Sequence, residues 1–327
     1  MVLEEFLKEW RNAEDKVLVH TSGSTGKPKP MWVEKRRMEN SARITCDFLD
    51  LKEGDTALLC MPLDYIAGKM VVVRSLVRGL RLIDVKPSGH PLRGLSEVPT
   101  FAAMVPMQVY NSMQNAEELA MLKQIKHLII GGGAIDDDMA KALRSFPNAV
   151  WSTYGMTETL SHIALRRLSG DEADEWYTPF DSVEVSLSAE NCLVINAPLV
   201  CDKELVTNDI AQISSDGRRF RIIGRKDNVI DSGGIKIQIE EVERMLKGHI
   251  NGAFVITRRK DRKFGEVVAM LLENGDTSAA RMACENVLPK YWQPKYYLSC
   301  AKLPLTATGK PARAEAERMV NETENLF

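Results

Sequence analysis

Residues 100–153 read TFAAMVPMQVYNSMQNAEELAMLKQIKHLIIGGGAIDDDMAKALRSFPNAVWST. Three short apolar runs in this stretch predict β-strands: residues 100–105, 127–130 and 149–153. The segments between them carry apolar residues at helical spacing, which predicts helices at 106–123 and 136–145. Strands that alternate with helices pair in parallel, because a parallel connection needs a crossover, usually a helix. The stretch therefore predicts a parallel sheet covered by helices.

The same alternation extends toward the N-terminus. It predicts strands at residues 16–20, 55–61 and 81–85. It predicts helices between them, at residues 34–49 and 69–78. From residue 181 four short apolar runs predict a small antiparallel β unit: residues 183–187, 192–196, 210–214 and 219–223. After residue 224 the pattern changes again, with helices predicted at 239–247 and 278–288. The predicted fold class is α/β: a mostly parallel sheet flanked by helices, a small antiparallel β unit, and a small α+β C-terminal domain.

The length of 327 residues allows two or three packed units. We expect a boundary near residues 225–227, which gives an N-terminal domain of residues 1–226 and a C-terminal domain of residues 227–327.

The composition argues against a nucleic-acid or membrane partner. The hydrophobic fraction is 44%, the charged fraction 27% and the formal net charge −2, whereas a nucleic-acid-binding protein usually carries a basic excess. The basic run at 258–263 lies between two apolar runs and predicts a hairpin turn. No apolar stretch reaches the roughly 20 residues needed to span a bilayer.

The six cysteines are scattered and form no CxxC pair, which argues against a zinc site and a disulfide framework. The first twelve residues show no signal-peptide pattern. The sequence therefore predicts a cytoplasmic protein. It leaves the oligomeric state open.

A loop rich in glycine and hydroxyl residues follows the first predicted strand. It consists of Thr21, Ser22, Gly23, Ser24, Thr25, Gly26, Lys27, Pro28 and Lys29. Backbone N–H groups, hydroxyls and lysine suit an oligophosphate. The loop is not a Walker A loop, because only two residues separate its glycines and proline follows Lys27. It predicts a phosphate-binding loop, with a plain Gly/Ser turn as the alternative.

Five segments in order along the chain resemble signature motifs of the adenylate-forming superfamily, which includes acyl-CoA synthetases, peptide-synthetase adenylation domains and luciferases. The loop at 21–29 matches [ST]-S-G-[ST]-T-G-x-P-K throughout. The other four segments are YGMTE at 154–158, TND at 207–209 (with Asn208 for the usual glycine), GRKD at 224–227 and PLTATGK at 304–310. The resemblance implies an AMP-forming ligase that uses ATP, Mg²⁺ and coenzyme A.

The resemblance also implies roles for individual residues. The loop at 21–29 would hold the departing pyrophosphate, Thr157 would contact the α-phosphate, and Glu158 would hold the magnesium ion. Asp209 would bind the ribose diol, and Arg225 the ribose or a phosphate. The adenine pocket would be formed by Gly132, Gly133, Ala134, Thr153, Tyr154 and Gly155. Simpler alternatives are a first-turn carboxylate for Glu158, a turn aspartate for Asp209, a surface arginine for Arg225 and an ordinary βα turn for the glycines after residue 130.

The C-terminal residues carry the implied catalytic and dynamic roles. Lys310 would bridge the carboxylate and the α-phosphate during adenylation, where an ammonium group stabilises developing charge. In the superfamily the small C-terminal domain is mobile and turns about a hinge at the aspartate of G-R-x-D, here Asp227. Gly233 and Gly234 would then lie near the pantetheine tunnel, because the lack of side chains permits close approach.

The chain departs from the superfamily in two places. The phosphate loop begins about twenty residues from the start of the chain, so the first part of the usual N-terminal domain is missing or reduced. We expect a compact enzyme, with a truncated chain as the alternative. The acid-binding segment at 61–68 has Asp64 and Tyr65 in place of the usual Phe and His.

The segment through Arg74 most resembles the o-succinylbenzoate–CoA ligases of menaquinone biosynthesis. An arginine at this offset can pair with the second, unreacted carboxylate of the acid. Tyr65, Arg74 and Ser161 are thus predicted to bind the acid, and His162 could also face it. A surface arginine with an extended stem is an equal alternative for Arg74.

The preferred interpretation is an acid–CoA ligase acting on o-succinylbenzoate. Two alternatives stay open: an adenylating enzyme that loads a carrier protein, and a non-catalytic ATP-binding module.

Overall fold

The computed structural model describes residues 1–20, 30–133, 135, 137–305 and 311–322. The chain divides into two compact units. The first comprises Met1–Ser186, Val194–Leu205 and Ile213–Arg221, and the second comprises Leu187–Leu193, Val206–Gln212 and Ile222–Phe327. The two units alternate along residues 187–221, so the predicted boundary between residues 226 and 227 stays a prediction.

Up to residue 179, the described part of the first unit contains six helices and nine strands. The helices are α1 (Leu3–Arg11), α2 (Lys35–Phe48), α3 (Ile66–Arg78), α4 (Pro106–Met113), α5 (Ala116–Leu122) and α6 (Asp137–Arg144). The strands are β1 (Lys16–His20), β2 (Pro30–Glu34), β3 (Thr56–Leu59), β4 (Arg81–Asp84), β5 (Phe101–Met104), β6 (His127–Ile130), β7 (Ala149–Gly155), β8 (His162–Arg167) and β9 (Thr178–Pro179).

A seven-stranded sheet forms the centre of this unit, in the order β4-β3-β5-β6-β7-β8-β9. The five strands from β4 to β7 pair in parallel, whereas β8 and β9 pair antiparallel. Every residue of β3 and of β5 is buried, as expected of parallel strands covered on both faces. The large, mostly parallel sheet flanked by helices confirms the predicted fold class.

Strands β1 and β2 form a separate antiparallel pair, in which His20 lies opposite Pro30. They therefore bring together His20 and Pro30, the residues that flank positions 21–29. This segment lies outside the described residues.

A four-stranded sheet follows, in the order β10 (Glu184–Leu187), β11 (Cys192–Asn196), β12 (Leu205–Ile213) and β13 (Phe220–Arg225). Each strand neighbours the next one in the sequence, and all four overlap the runs predicted for the small antiparallel β unit.

The second unit contains a five-stranded sheet with helices on both faces. Its elements are β14 (Val229–Ser232), β15 (Ile235–Gln238), α7 (Ile239–Leu246), β16 (Phe254–Asp261), β17 (Gly265–Glu273), α8 (Thr277–Val287), β18 (Tyr296–Cys300) and α9 (Arg313–Glu322). The order is β15-β14-β17-β16, and β18 pairs with β17 in parallel. Apolar side chains of α7 and α8 pack with Ile256 and Met270. Ala316 of α9 packs with Val255 and Leu271, whose strand positions face the other side.

Several elements differ from the sequence-based expectation. Helices α1 and α9 and strands β2, β8, β9, β14, β15 and β18 were not expected. The single helix expected at 106–123 is two helices, because the Asn115 side chain accepts hydrogen bonds from the backbone N–H groups of Glu117 and Glu118 and so begins α5. Within the described residues, no helix is long and apolar enough to cross a membrane.

A buried lysine connects α1 to the rest of the first unit. Lys69 of α3 is 2% exposed. Its Nζ donates to the Leu18 carbonyl oxygen at 2.8 Å, lies 3.3 Å from Glu9 Oε2, and stands 5.1 Å from the centre of the Phe6 ring. The charge thus has an anionic, a carbonyl and an aromatic partner. Removal of the ammonium would leave a carbonyl and a partly buried carboxylate without their donor.

We expect Lys69→Met, which keeps most of the apolar stem, to lower the free energy of unfolding by about 2–4 kcal/mol. Urea unfolding followed by fluorescence measures this change. Arg81→Gln is the matched control, because the Arg81–Glu97 pair is exposed and such pairs contribute little. Equal effects of the two substitutions would contradict the assigned role of Lys69.

Candidate active site

The predicted adenine-binding residues lie at the ends of two neighbouring parallel strands. Gly132 and Gly133 follow β6, while Thr153, Tyr154 and Gly155 end β7. Ligands of open α/β sheets bind beyond the carboxyl ends of such strands. A Cβ atom on Gly131 would collide with Thr153 Oγ1, so any other residue there would displace the Thr153 hydroxyl. Ala134 lies outside the described residues.

Gly155 allows the chain to reverse directly after β7. A Cβ atom at this position would collide with the Ser161 carbonyl oxygen and lie 2.5 Å from the His162 Cα. The register of β7 with β8 shifts at Tyr154 and Gly155. The lack of a side chain therefore permits β8 to return close to the end of β7, and brings Ser161 and His162 to the carboxyl edge of the sheet.

A short 3-10 helix, Thr157–Thr159, forms the turn between these strands. The Thr159 hydroxyl contacts the Met156 carbonyl at 3.0 Å and the Ser161 carbonyl at 2.7 Å, which holds the turn closed. Thr157 is buried and Glu158 is exposed. Leu160 has φ 66°, a left-handed conformation that is uncommon for a branched residue. The turn thus presents the predicted magnesium ligand to solvent.

Tyr154 lies against two aromatic rings that the sequence analysis missed. The Phe220 ring stands edge-on to it at 5.1 Å, and the Tyr177 ring is 5.7 Å away. The Tyr177 hydroxyl lies 2.8 Å from Ser152 Oγ. These contacts fix the plane of the Tyr154 ring. In the sequence, only the spacing of aromatic residues after β7 could have indicated that Tyr177 and Phe220 lie beside Tyr154.

Arg74 is buried and makes its described hydrogen bonds to hydroxyl groups. It lies on α3, whose residues from Gly68 to Ser75 are all buried, and is 2% exposed. Its Nη2 donates to Ser161 Oγ at 2.6 Å and to Thr45 Oγ1 at 3.4 Å. The structure therefore brings together two of the three predicted acid-binding residues, and the surface position considered for Arg74 is wrong.

The Arg74 guanidinium has no carboxylate partner within salt-bridge distance in the part of the chain that the structure describes. Its Nε is buried without a hydrogen-bond partner there. Burial lowers the pKa of Arg74 to about 10, so the group stays charged at neutral pH. A desolvated cation that lacks a counter-ion favours the binding of an anion.

His162 lies beside the guanidinium and is 7% exposed. Its Nδ1 is 3.2 Å from Ser161 Oγ, and its Nε2 is 3.1 Å from Thr45 Oγ1. Burial, followed by the charge of Arg74, lowers the pKa of His162 well below its usual value. The imidazole is therefore neutral near pH 7. Thr45, on α2, was not predicted, since nothing in its local sequence marks it.

The predicted ribose and hinge residues meet in the second unit. Arg225 Nη1 lies 3.1 Å from Asp209 Oδ1, and Arg225 Nη2 lies 2.8 Å from Asp227 Oδ2. Asn208, which replaces the usual glycine, places its Nδ2 at 3.4 Å from the same Asp227 oxygen. One guanidinium thus joins the carboxylate predicted to bind ribose with the one predicted to act as hinge.

Gly233 and Gly234 form the turn between β14 and β15, with φ of 62° and 88°. Their backbone N–H groups donate to the Phe264 carbonyl and to Asp231 Oδ1. A Cβ at Gly233 would stand 3.0 Å from the Phe264 ring. The turn itself therefore favours glycine at both positions.

The remaining predicted residues are not joined to these groups. Tyr65 precedes α3 and is 46% exposed. Among the described residues no hydrogen bond connects its side chain with Arg74 or Ser161. The residues Thr21, Ser22, Gly23, Ser24, Thr25, Gly26, Lys27 and Lys310 lie outside the described part of the chain.

The neutral, buried His162 predicts a pH dependence of stability. The unfolded chain takes up a proton at the ordinary histidine pKa, near 6.5, whereas the folded site does not. The free energy of unfolding should therefore fall as pH decreases from 7.5 to 5.5, by at most about 1.4 kcal/mol per pH unit from this residue. Urea unfolding at several pH values measures the slope.

His127, whose pKa is also lowered by burial, contributes with the same sign. The informative comparison is therefore His162→Gln against the wild type. The variant should have the shallower slope, and equal slopes would contradict a neutral His162 in the folded protein.

Three comparisons relate the chain to known proteins. The family described as AMP-binding enzyme matches residues 6–193. A 2-succinylbenzoate–CoA ligase of Bacillus cereus is 25% identical over an alignment 354 residues long, gaps included. The alignment covers 96% of this chain and 72% of the relative.

Solved structures resemble the chain in fold. The acyl-CoA synthetase (AMP-forming)/AMP-acid ligase II-like protein of Dyadobacter fermentans is 30% identical, with a TM-score of 0.66 and coverage of 95% of this chain and 91% of that one. The o-succinylbenzoate CoA synthetase of Bacillus subtilis, in complex with the acyl-adenylate OSB-AMP, has a TM-score of 0.75 at 22% identity and covers 91% of this chain and 68% of that one. The match to more than half of its residues shows that the chain belongs to the AMP-binding enzyme family.

Proposed function

We propose that the protein is an ATP-dependent acid–CoA ligase whose acid is o-succinylbenzoate, also called 2-succinylbenzoate. In the first step a carboxylate oxygen of the acid attacks the α-phosphate of ATP, and pyrophosphate leaves. In the second step the thiol of coenzyme A attacks the acyl carbonyl, and AMP leaves. The relative from Bacillus cereus, at 25% identity, is named for the same acid and acceptor.

The choice of acid rests on the environment of Arg74. Its buried guanidinium is held by two hydroxyls and lacks a carboxylate partner among the described residues. An acid with a second carboxylate would supply the missing counter-ion, and Arg–carboxylate pairs are among the stronger polar contacts. o-Succinylbenzoate has two carboxylates, so one can react while the other pairs with Arg74. A monocarboxylic acid would leave the buried charge unpaired.

The carboxyl edge of the sheet offers a fitting place for the nucleotide. In this proposal Tyr154 contacts the adenine, with its ring held by Phe220 and Tyr177. Thr157 contacts the α-phosphate from the turn after β7. The exposed Glu158 is the magnesium ligand, because Mg²⁺ is commonly bound by one or two carboxylates together with substrate phosphates. The metal would neutralise phosphate charge.

The segment 21–29 is proposed to hold the pyrophosphate, and Lys310 to stabilise the charge that develops when the carboxylate attacks. In the second unit Asp209 and Arg225 would hold the ribose. We assign Asp227 to a hinge between residues 1–226 and a mobile domain of residues 227–327. Gly233 and Gly234 would line the path of the coenzyme A thiol.

Pyrophosphate release from ATP and Mg²⁺ tests the proposal. We expect release that requires o-succinylbenzoate, rises with coenzyme A, and falls at least 100-fold in Lys310→Ala, because an oriented charge at the reacting atoms contributes roughly this order of magnitude. An exposed lysine of the same unit, in Lys290→Ala, is the control and should leave the rate unchanged.

Arg74→Gln tests the acid. It should lower kcat/KM for o-succinylbenzoate by about 100-fold, since it removes a buried charged hydrogen bond, and should have little effect on 4-oxo-4-phenylbutanoate, which lacks the ring carboxylate. Transfer of the acyl group to a carrier protein, with no response to coenzyme A, would favour the carrier-loading alternative. ATP binding without pyrophosphate release for any acid would favour the non-catalytic module.

A further inference from the structure

Arg74 and three neighbouring side chains, all buried or half-buried, form a closed ring of contacts. Arg74 Nη2 lies 2.6 Å from Ser161 Oγ, Ser161 Oγ lies 3.2 Å from His162 Nδ1, His162 Nε2 lies 3.1 Å from Thr45 Oγ1, and Thr45 Oγ1 lies 3.4 Å from Arg74 Nη2. The four residues come from α2, α3, the β7–β8 connection and the start of β8. Thr45 and His162 are 0% and 7% exposed.

The hydrogen-bond directions around this ring can be assigned. The Thr45 hydroxyl lies 3.1 Å from the Ser41 carbonyl oxygen, which can only accept. Its single hydrogen is used there, so His162 Nε2 must donate to Thr45 Oγ1. A neutral imidazole with its proton on Nε2 has an acceptor at Nδ1, and the Ser161 hydroxyl donates to it. Both hydroxyl oxygens are then left as acceptors for Arg74.

The neutral state of His162 is part of this arrangement. A protonated imidazole donates from both nitrogens, so Ser161 could no longer donate to Nδ1, and a second positive charge would stand beside Arg74. The depressed pKa of His162 agrees with the neutral form. The neutral hydroxyl groups of Thr45 and Ser161 thus orient the guanidinium of Arg74 without neutralising its charge.

We propose that Thr45 and His162 are positioning residues that set the preference of this enzyme for acids with a second carboxylate; this inference rests on the function proposed above. They fix the oxygens of Thr45 and Ser161 as acceptors for Nη2 of Arg74. The guanidinium is then held in one orientation, its charge intact and its Nε free of described partners, so that it can pair with the substrate. Neither residue is expected to touch the reacting carboxylate or the nucleotide.

Variants of Thr45 and His162 separate this role from a general role in folding. Thr45→Val is nearly isosteric and removes the hydroxyl, whereas Thr45→Ser keeps it. His162→Asn keeps an acceptor near the Nδ1 position but loses the contact to Thr45, and His162→Leu loses both. The measurements are the KM values for o-succinylbenzoate, 4-oxo-4-phenylbutanoate and ATP, together with kcat and the midpoint of urea unfolding.

We expect Thr45→Val and His162→Leu to raise KM for o-succinylbenzoate about tenfold, the value of one hydrogen bond to a charged group. KM for ATP and for 4-oxo-4-phenylbutanoate should change less than about twofold, because neither pairs with Arg74 through a second carboxylate. Thr45→Ser should restore the wild-type KM, and His162→Asn should lie between the wild type and His162→Leu. Equal loss for both acids, or no loss for either, would overturn the inference.

Direct binding distinguishes failure of this inference from failure of the proposed function. Calorimetric titration of the wild type with each acid, in the presence of ATP without Mg²⁺, measures the preference before chemistry. If the wild type prefers o-succinylbenzoate, Arg74→Gln abolishes the preference, and Thr45→Val and His162→Leu keep it, then only the positioning role is wrong. If the wild type shows no preference, the proposed acid is wrong and the inference fails with it.

Discussion

The candidate site of the first unit depends on strand β7, which has a parallel neighbour on one side and an antiparallel neighbour on the other. β7 pairs in parallel with β6 and antiparallel with β8, so the chain must reverse within a few residues at the carboxyl edge of the sheet. Gly155 and the 3-10 turn Thr157–Thr159 make this reversal possible. The reversal carries Ser161 and His162 back toward α2 and α3. A parallel continuation after β7 would have placed a helix there.

The buried charges of the first unit show how unusual Arg74 is. Lys69 lies near Glu9. The carboxylate of Glu118, 3% exposed, lies 2.8 Å from His90 Nδ1. These groups have oppositely charged or chargeable partners, which offset desolvation. Arg74 has hydroxyl groups instead, within the described ranges, so its positive charge is not neutralised by a carboxylate of these residues. A salt bridge to a carboxylate of the protein would have neutralised the charge of Arg74 and weakened its attraction for an anionic ligand.

The sequence predicted the parallel part of the large sheet because parallel strands and their helices depend on local patterns. Apolar runs and helical spacing predicted β3 to β7, and a helix cap at Asn115 explains the one helix that was divided. Strand β8 (His162–Arg167) was not predicted from the sequence. Arg74 and Ser161 were found through a resemblance over short motifs. Thr45 could not be found in this way, because its role arises from a contact with His162, 117 residues later.

That separation also bears on how the protein is made. A contact between residues 117 positions apart closes a long loop, and such contacts form late because closure must precede any gain. During synthesis from the N-terminus, α2 and α3 leave the ribosome well before β8 exists. Until then the guanidinium of Arg74 has neither Ser161 nor His162 beside it. The contacts of Arg74 with Ser161 therefore need β7 and β8 to be synthesised and paired in the register that the structure shows.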